Sequence, residues 1–164
     1  MASGAYRPWL IDRGSLTQQL QRHCKDFEVR PVRLCSARPR LDEARLLSVS
    51  SHSRAQLREV RLQCNKAVAV FARSILPHQS LRGVWQGLAV LGSRPLGAEL
   101  FADPRVVRTP FEYRKLARHH VLYRRAVAGM VAPPPVLWAR RSVFKLYGAA
   151  ILVTEVFLPQ VLAL

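Results

Sequence analysis

An acidic side chain within an apolar segment is the feature of this sequence with the clearest potential for chemistry. Glu155 lies in the most apolar strand-like stretch of the chain, residues 149–158, AAILVTEVFL. With the two-residue period of a strand it shares a face with Val153 and Phe157, and the opposite face is equally apolar. A carboxylate buried there must find a cation and donors or keep its proton. Of the ten carboxylates in the chain, we expect Glu155 alone to occupy such a setting.

Arg58 is the best candidate for a cation that binds a buried carboxylate. In residues 56–64, QLREVRLQC, alternation places it on the same face as Val60, Leu62 and Cys64, with mostly polar residues opposite. A guanidinium presents a planar fork of donors that matches a carboxylate. That carboxylate is either Glu155, in a structural ion pair across a sheet, or part of a ligand, and the spacing leaves both alternatives open.

Length and composition indicate one domain, residues 1–164. The chain has 164 residues, of which 49% are hydrophobic, which is enough for one core. No apolar run approaches the ~20 residues of a membrane helix. Residues 1–9 also lack the apolar centre of a signal peptide. We therefore expect a cytoplasmic protein without a membrane segment.

The cysteines and histidines do not form a metal-binding pattern. Cys24, Cys35 and Cys64 are odd in number and widely spaced, so we expect small core residues and neither a disulfide framework nor a zinc site. His119 and His120 are adjacent, which does not match the i, i+4 pair of a metal-binding helix. The sequence predicts no metal site.

The strong positive charge has two interpretations. The formal net charge is +16, and a basic protein can bind nucleic acid by neutralising phosphates. The cationic residues are, however, spread from Arg7 to Lys145, without a helix-turn-helix signature or an RNA-binding strand motif. We therefore favour a cationic surface that attracts small anionic substrates and expect no nucleic-acid partner.

The first half of the chain predicts a helix, an edge strand and a hairpin. Ser15 to Gln18 has the form of a capping box that opens a short helix. Residues 29–35 read as a strand interrupted by Pro31, hence at a sheet edge, and residues 36–55 as irregular. Strands over 56–64 and 67–76 flank a turn at 65–66. The second of these strands puts Arg73 at an apolar position.

The second half predicts two helices and further strands. Apolar spacing over residues 80–91 indicates an amphipathic helix that ends at Gly92. Pro95 opens a short helix whose first backbone N–H groups, near Leu96, are free to face an anion. Strands are expected over 106–116 and 142–147, with a surface excursion over 117–138 between them. Several antiparallel strands with separate helices make an α+β fold.

Six blocks, in their order along the chain, resemble the chorismate pyruvate-lyase family. The two blocks that contribute most to the resemblance are Leu-Arg-Glu at 57–59 and Thr-Glu-Val-Phe-Leu-Pro at 154–159. The others are Trp9-Leu10 with Asp12 and Gly14 to Thr17, Ala72-Arg73 with Leu76-Pro77, Leu91-Gly92 with Pro95 to Gly97 and Leu100-Phe101, and Arg140-Arg141.

The resemblance implies a monomeric bacterial enzyme that splits chorismate into 4-hydroxybenzoate and pyruvate, the first committed step toward ubiquinone. It implies a single antiparallel sheet with helices packed on one side, and neither metal nor organic cofactor. By the same resemblance Arg58 binds the ring carboxylate, Glu155 meets the 4-hydroxyl, and Leu16 and Leu96 contribute backbone contacts. A long stretch over 119–135 and the extreme charge depart from the family pattern.

These assignments suggest a catalytic mechanism and leave one alternative function. Glu155 would accept the hydroxyl hydrogen bond, take the C4 proton, or do both, while Arg73 is a candidate for the enolpyruvyl carboxylate. The same fold is similar to the effector-binding domains of some bacterial transcription regulators. The alternative function is therefore a non-catalytic sensor of aromatic carboxylates.

Overall fold

One antiparallel sheet organises the part of the chain that the computed structural model describes, residues 3–164. Its strand order is β1-β2-β3-β7-β6-β4, and β5 pairs with β6 beside β4. The strands are β1 (Phe27–Ala37), β2 (Ala55–Cys64), β3 (Ala67–Pro77), β4 (Val107–Arg108), β5 (Glu112–Ala117), β6 (Val136–Leu146) and β7 (Ala149–Phe157).

Six short α-helices and two 3-10 turns accompany the sheet in these residues. The helices are α1 (Ser3–Ile11), α2 (Leu16–His23), α3 (Leu41–Leu47), α4 (His78–Leu81), α5 (Leu96–Ala102) and α6 (Val121–Ala126), and the 3-10 turns are Gln86–Val90 and Pro159–Ala163. None of them is long and apolar enough to cross a membrane. Met1 and Ala2, which begin the segment predicted not to be a signal peptide, lie outside the described residues.

Two tight turns set the register of the central strands. Asn65 and Lys66 join β2 to β3 with φ angles of 51° and 68°, as a two-residue hairpin turn requires. Tyr147 and Gly148 join β6 to β7 in the same way, with φ angles of 50° and 79°. The predicted hairpin is confirmed, as are the edge position of β1 and its irregularity next to Pro31.

Helices cover both faces of the sheet. We call the face that bears Arg58 and Glu155 the front face; α1, α2, α5 and the turn Gln86–Val90 pack on it. Helix α3 packs on the back face through Leu47, and α6 packs there through Leu122 and Tyr123. The α+β class with one antiparallel sheet is confirmed. The expectation that the helices pack on one side is wrong, because the apolar residues of the central strands alternate between two covered faces.

Three segments differ from the prediction. Residues 36–55 contain helix α3 instead of being irregular throughout. Residues 80–91 do not form one helix, since a turn separates α4 from the 3-10 segment. Gly83 lies in that turn and Gly87 in the 3-10 segment, and glycine lowers helix propensity. The stretch over 117–138 holds α6, which packs on the back face and therefore does not cover the front.

Cys24 and Cys64 form a disulfide, which contradicts the expectation of unpaired core cysteines. Cys24 follows the end of α2 and Cys64 ends β2, and their Cα atoms are 5.5 Å apart. That separation is typical of a disulfide. The pairing depends on α2 folding back over the end of β2, which the spacing of 40 residues could not reveal. Cys35 is free.

A buried ion network occupies the back face behind the central strands. Glu59 is fully buried and Glu43 is 2% exposed, so Glu155 is not the only buried carboxylate. Arg73 donates from Nε to Glu43 at 2.8 Å and from Nη1 to Glu59 at 3.0 Å, and Arg125 also pairs with Glu59. Alternation placed Glu59 on a face that we expected to be mostly polar. Helix α6, through Arg125, and helix α3, through Glu43 and the cation Arg73 that it shares with Glu59, cover that face.

Replacing Arg73 by alanine should lower the free energy of unfolding by about 3–5 kcal/mol, because two buried carboxylates lose a shared cation. Chemical denaturation measures this change. The matched control is Arg30→Ala, which removes a solvent-exposed pair with Glu28 and should cost less than about 1 kcal/mol. Equal losses in the two variants would contradict a structural role for the network.

Candidate active site

A cavity of about 530 Å³, counted out to its opening, lies between the front face and the starts of helices α2 and α5. Its floor is formed by Val60 of β2, Ala72 and Ser74 of β3, and Val153 of β7. Ala72 and Ser74 are small, which leaves depth in the middle of the sheet. The mostly apolar lining, with a few charged side chains among it, suits a small organic ligand.

Arg58 is a buried cation without an acidic partner among residues 3–164. It is 6% exposed, and its Nη2 donates to the carbonyl oxygens of Gly92 at 3.1 Å and Arg94 at 2.9 Å. Burial lowers the pKa of the Arg58 guanidinium. Its Nε and Nη1 have no acceptor within the described chain, so donors and charge remain available to an anion in the cavity.

Two helix starts face the same cavity. Leu16 is the first residue of α2 and Leu96 the first of α5, and both line the cavity. The helices meet closely here: a Cβ on Gly97 would lie 3.4 Å from the Oγ1 of Thr17. The first N–H groups of a helix have no acceptor within it. Because Arg58 holds the loop that leads into α5, these N–H groups and the guanidinium lie at one end of the cavity.

Glu155 is held by Arg140, its direct neighbour across β6 and β7. The Nε of Arg140 donates to Oε2 of Glu155 at 2.5 Å. The Nη1 of Arg140 donates to the carbonyl oxygens of Trp9 and Asp12, both at 2.7 Å. Oε1 of Glu155 accepts from no described residue, and Glu155 lines the cavity. One carboxylate oxygen is therefore fixed while the other can meet a ligand.

Arg58 and Glu155 share the front face without touching. Strand pairing sets Arg58 opposite Ser74 and Ser74 opposite Val153, two residues before Glu155. Their Cα atoms are thus two strands and two residues apart, roughly 12 Å at standard sheet spacing. The structure excludes a direct Arg58–Glu155 ion pair, because the pairing partner of Glu155 is Arg140. The space between the two side chains is the cavity.

Arg108 of β4 also lines the cavity. Its Nε donates to Oγ of Ser142 at 2.8 Å, and its Nη1 donates to the carbonyl oxygen of Arg13 at 3.0 Å. The guanidinium carbon lies 4.1 Å from the ring centre of Phe111 and 4.8 Å from that of Phe144. Like Arg58, Arg108 has no carboxylate partner among residues 3–164.

The structure brings four predicted residues together and separates a fifth. Arg58, Glu155, Leu16 and Leu96 all line the cavity. Arg73 does not: its side chain lies on the back face, so its assignment to the enolpyruvyl carboxylate is wrong.

Sequence reasoning missed two site residues. The strand that bears Arg140 was expected to begin at residue 142, although Arg140 stood in one of the resemblance blocks. Arg108 fell within the predicted strand 106–116, but its neighbours come from β6, α5 and the turn after α1. Only the fold gathers these partners around it.

Substitution of Arg140 by glutamine should destabilise the protein by about 3–5 kcal/mol, since Glu155 then loses its buried counter-ion. The control is the adjacent Arg141→Gln, whose half-buried guanidinium contacts Asp42 and Glu112 on the back face. That variant should lose about 1 kcal/mol. Urea unfolding compares them, and an Arg140 variant as stable as the Arg141 variant would refute the role given to Arg140.

Comparison with known proteins places this arrangement in a family. The chorismate lyase family model matches residues 1–163. A protein of Methylobacillus flagellatus named probable chorismate pyruvate-lyase is 51% identical over 97% of this chain and 89% of its own length. A protein of Azoarcus sp. with the same name is 48% identical over 96% of this chain and 86% of its own.

Solved structures share the fold at low identity. The effector domain of PhnF from Mycobacterium smegmatis is 15% identical, covers 92% of both chains and superposes with a TM-score of 0.66. A GntR-family transcriptional regulator from Bacillus cereus is 10% identical over 83% of this chain and 94% of its own, with a TM-score of 0.58. These likenesses show the fold. The family model and the curated relatives, which span nearly all of the chain, show that it belongs to the chorismate lyase family.

Proposed function

We propose that this chain is a chorismate pyruvate-lyase, which converts chorismate into 4-hydroxybenzoate and pyruvate. The observation that carries the proposal is the cavity itself: the unpaired guanidinium of Arg58 stands at one end and a carboxylate oxygen of Glu155 is open at the other. Membership of the chorismate lyase family supports the same reaction.

The chemistry of chorismate suits these two groups. Its ring carries a carboxylate at C1, the enolpyruvyl ether at C3 and a hydroxyl at C4. Loss of the hydrogen on C4 and cleavage of the C3–O bond make the ring aromatic. The leaving enolpyruvate gains a proton at its methylene carbon and becomes pyruvate. Atoms, electrons and charge balance without another reactant, so the protein needs to position the ring and move one proton.

Arg58 binds the ring carboxylate in this proposal. Its free Nε and Nη1 supply charge-assisted hydrogen bonds, and the backbone N–H groups of Leu16 and Leu96 add donors at the starts of α2 and α5. Ala72 and Val153 contact the ring face from the floor. Fixing one end of a rigid ring leaves little freedom for the other end, which raises the fraction of bound substrate in a reactive pose.

Glu155 acts at C4 in this proposal. Arg140 holds Oε2, so Oε1 faces the hydroxyl and the hydrogen on C4. Glu155 accepts the hydroxyl hydrogen bond, takes the C4 proton as the C3–O bond breaks, or does both. A proton taken from C4 can return to the enolpyruvate carbon, which leaves Glu155 ready for another cycle.

The cellular setting belongs to the same proposal. We place the protein in the cytoplasm as a monomer without metal, organic cofactor or nucleic-acid partner, supplying 4-hydroxybenzoate to ubiquinone synthesis. The formal charge of +16 supports a role for the surface in attracting an anionic substrate. A long-range effect of this kind weakens with added salt.

A sensor of aromatic carboxylates is the second candidate, because the same fold forms the effector domain of PhnF. A sensor needs the ring-carboxylate site but has no need of a group at C4. Turnover separates the two candidates. Tight binding of 4-hydroxybenzoate without any product from chorismate would establish the sensor and overturn the lyase.

Incubation with chorismate should give 4-hydroxybenzoate and pyruvate in equal amounts, and Glu155→Gln should reduce kcat by at least about 100-fold. Glutamine keeps the size of the side chain but cannot take a proton at this position. The two products are followed together by chromatography and a coupled pyruvate assay. Unchanged turnover in the variant, with its fold verified by circular dichroism, would remove Glu155 from the mechanism.

Arg58→Gln should weaken 4-hydroxybenzoate binding by about 10- to 100-fold, the range expected when a charged hydrogen-bond donor is lost. Isothermal titration calorimetry measures the Kd. Arg94→Gln is the control: Arg94 is exposed, and only its backbone carbonyl contacts Arg58. An affinity that survives in the Arg58 variant would assign the ring carboxylate to another group.

A further inference from the structure

Arg108 is a second cation in the cavity that the proposed binding of the ring carboxylate does not use. It lies at the β6 side of the cavity, whereas Arg58 lies at the β2 side. Nothing in the sequence distinguishes it from the other 21 arginines of the chain. The structure distinguishes it by burial, by aromatic contacts and by the lack of an acidic partner among residues 3–164.

The guanidinium of Arg108 is held rigidly. Ser142 and the backbone of Arg13 accept from Nε and Nη1, and the rings of Phe111 and Phe144 lie against the guanidinium. Contacts of this kind with aromatic faces favour a cation in a fixed orientation. Nη2 donates to no residue of the described chain, which leaves one donor edge for a ligand.

A purely structural role does not account for the charge at this position. Burial lowers the pKa of Arg108 to about 10, with Glu155 opposing that shift and Arg140 adding to it. The protein therefore keeps a partly desolvated cation here at a cost in stability, and an anion would offset that cost.

The position of Arg108 relative to Glu155 fits a substituent next to C4. Ser142, which accepts from Arg108, is opposite Val153 in β7, and Arg140 is opposite Glu155 two residues along. The guanidinium of Arg108 is therefore hydrogen-bonded at a position two residues along the β6–β7 pair from Glu155, the carboxylate assigned to C4. In chorismate the carbon next to C4 carries the enolpyruvyl ether and its carboxylate.

The charges of the cavity also match a doubly charged ligand. Glu155 is neutralised by Arg140, so Arg58 and Arg108 are the two cations left without a carboxylate among the described residues that line it. Chorismate carries two carboxylates and 4-hydroxybenzoate only one. The pyruvate half takes the second carboxylate away when the C3–O bond breaks.

We propose that Arg108 is the binding site for the second carboxylate of the substrate, the one on the enolpyruvyl group. This inference rests on the proposed lyase function and assigns a further part of the same cavity. Arg108 then stabilises the negative charge that grows on the leaving enolpyruvate as its bond to C3 breaks. It also discriminates chorismate from 4-hydroxybenzoate, because 4-hydroxybenzoate has no second carboxylate to present to it.

The test compares Arg108→Gln with wild type on two stable ligands. One is 3-carboxymethoxy-4-hydroxybenzoate, which keeps the ring carboxylate and the 4-hydroxyl and carries a carboxylate on an ether at C3. The other is 3-methoxy-4-hydroxybenzoate, which has the same ring and ether oxygen without that carboxylate. Calorimetry gives both Kd values, and kcat/KM for chorismate is measured alongside. Arg105→Gln is the control, a solvent-exposed arginine three residues away that pairs with Asp103.

The expected result is a loss of at least tenfold in affinity for the dicarboxylate, with less than a twofold change for the methoxy compound, and a fall of at least tenfold in kcat/KM. Equal losses of affinity for both ligands would show that Arg108 has only a structural role. Unchanged affinity for both ligands would show that Arg108 does not contribute to binding. The binding arm does not depend on turnover. If wild type fails to convert chorismate, the lyase proposal fails while the two Kd values still decide the role of Arg108.

Discussion

The ion pair between Arg140 and Glu155 is the interaction on which the site depends. Arg140 has no exposed side-chain surface, and three backbone carbonyls of residues 9–12 accept from its Nη1. One guanidinium thus fixes both the carboxylate on β7 and the end of α1, and the chain continues from there into α2 over the cavity. The fold thereby gives Glu155 a counter-ion and leaves its other oxygen open.

The uneven distribution of counter-ions decides where chemistry can occur. On the back face Glu43 and Glu59 neutralise Arg73 and Arg125. These ion pairs stabilise the sheet, and their cations are not available to bind a ligand. On the front face Arg58 donates only to backbone carbonyls, which are neutral acceptors. The chain has many more cations than carboxylates. A cation can bind a ligand specifically only where it is buried and has no carboxylate partner.

Several elements followed from local pattern alone. The hairpin at Asn65 and Lys66, the capped start of α2 and the strand that holds Glu155 were predictable because turn residues, capping residues and two-residue alternation act over a few positions. Helix α3 and the disulfide were not predictable in this way. Helix α3 is stabilised by packing on the back face, and the disulfide requires α2 to meet the end of β2.

By itself the sequence determined that Arg58 and Glu155 each lie on an apolar face of their own strand, because two-residue alternation fixes which residues of one strand share a face. It did not determine their partners. Whether an arginine pairs with an acid, a carbonyl or a ligand depends on which strands are neighbours and which helices cover them. The tertiary structure therefore decided that Arg140 holds Glu155, that Arg73 lies on the back face, and that Arg108 joins the cavity, since each of these contacts links residues far apart in the chain or in different elements.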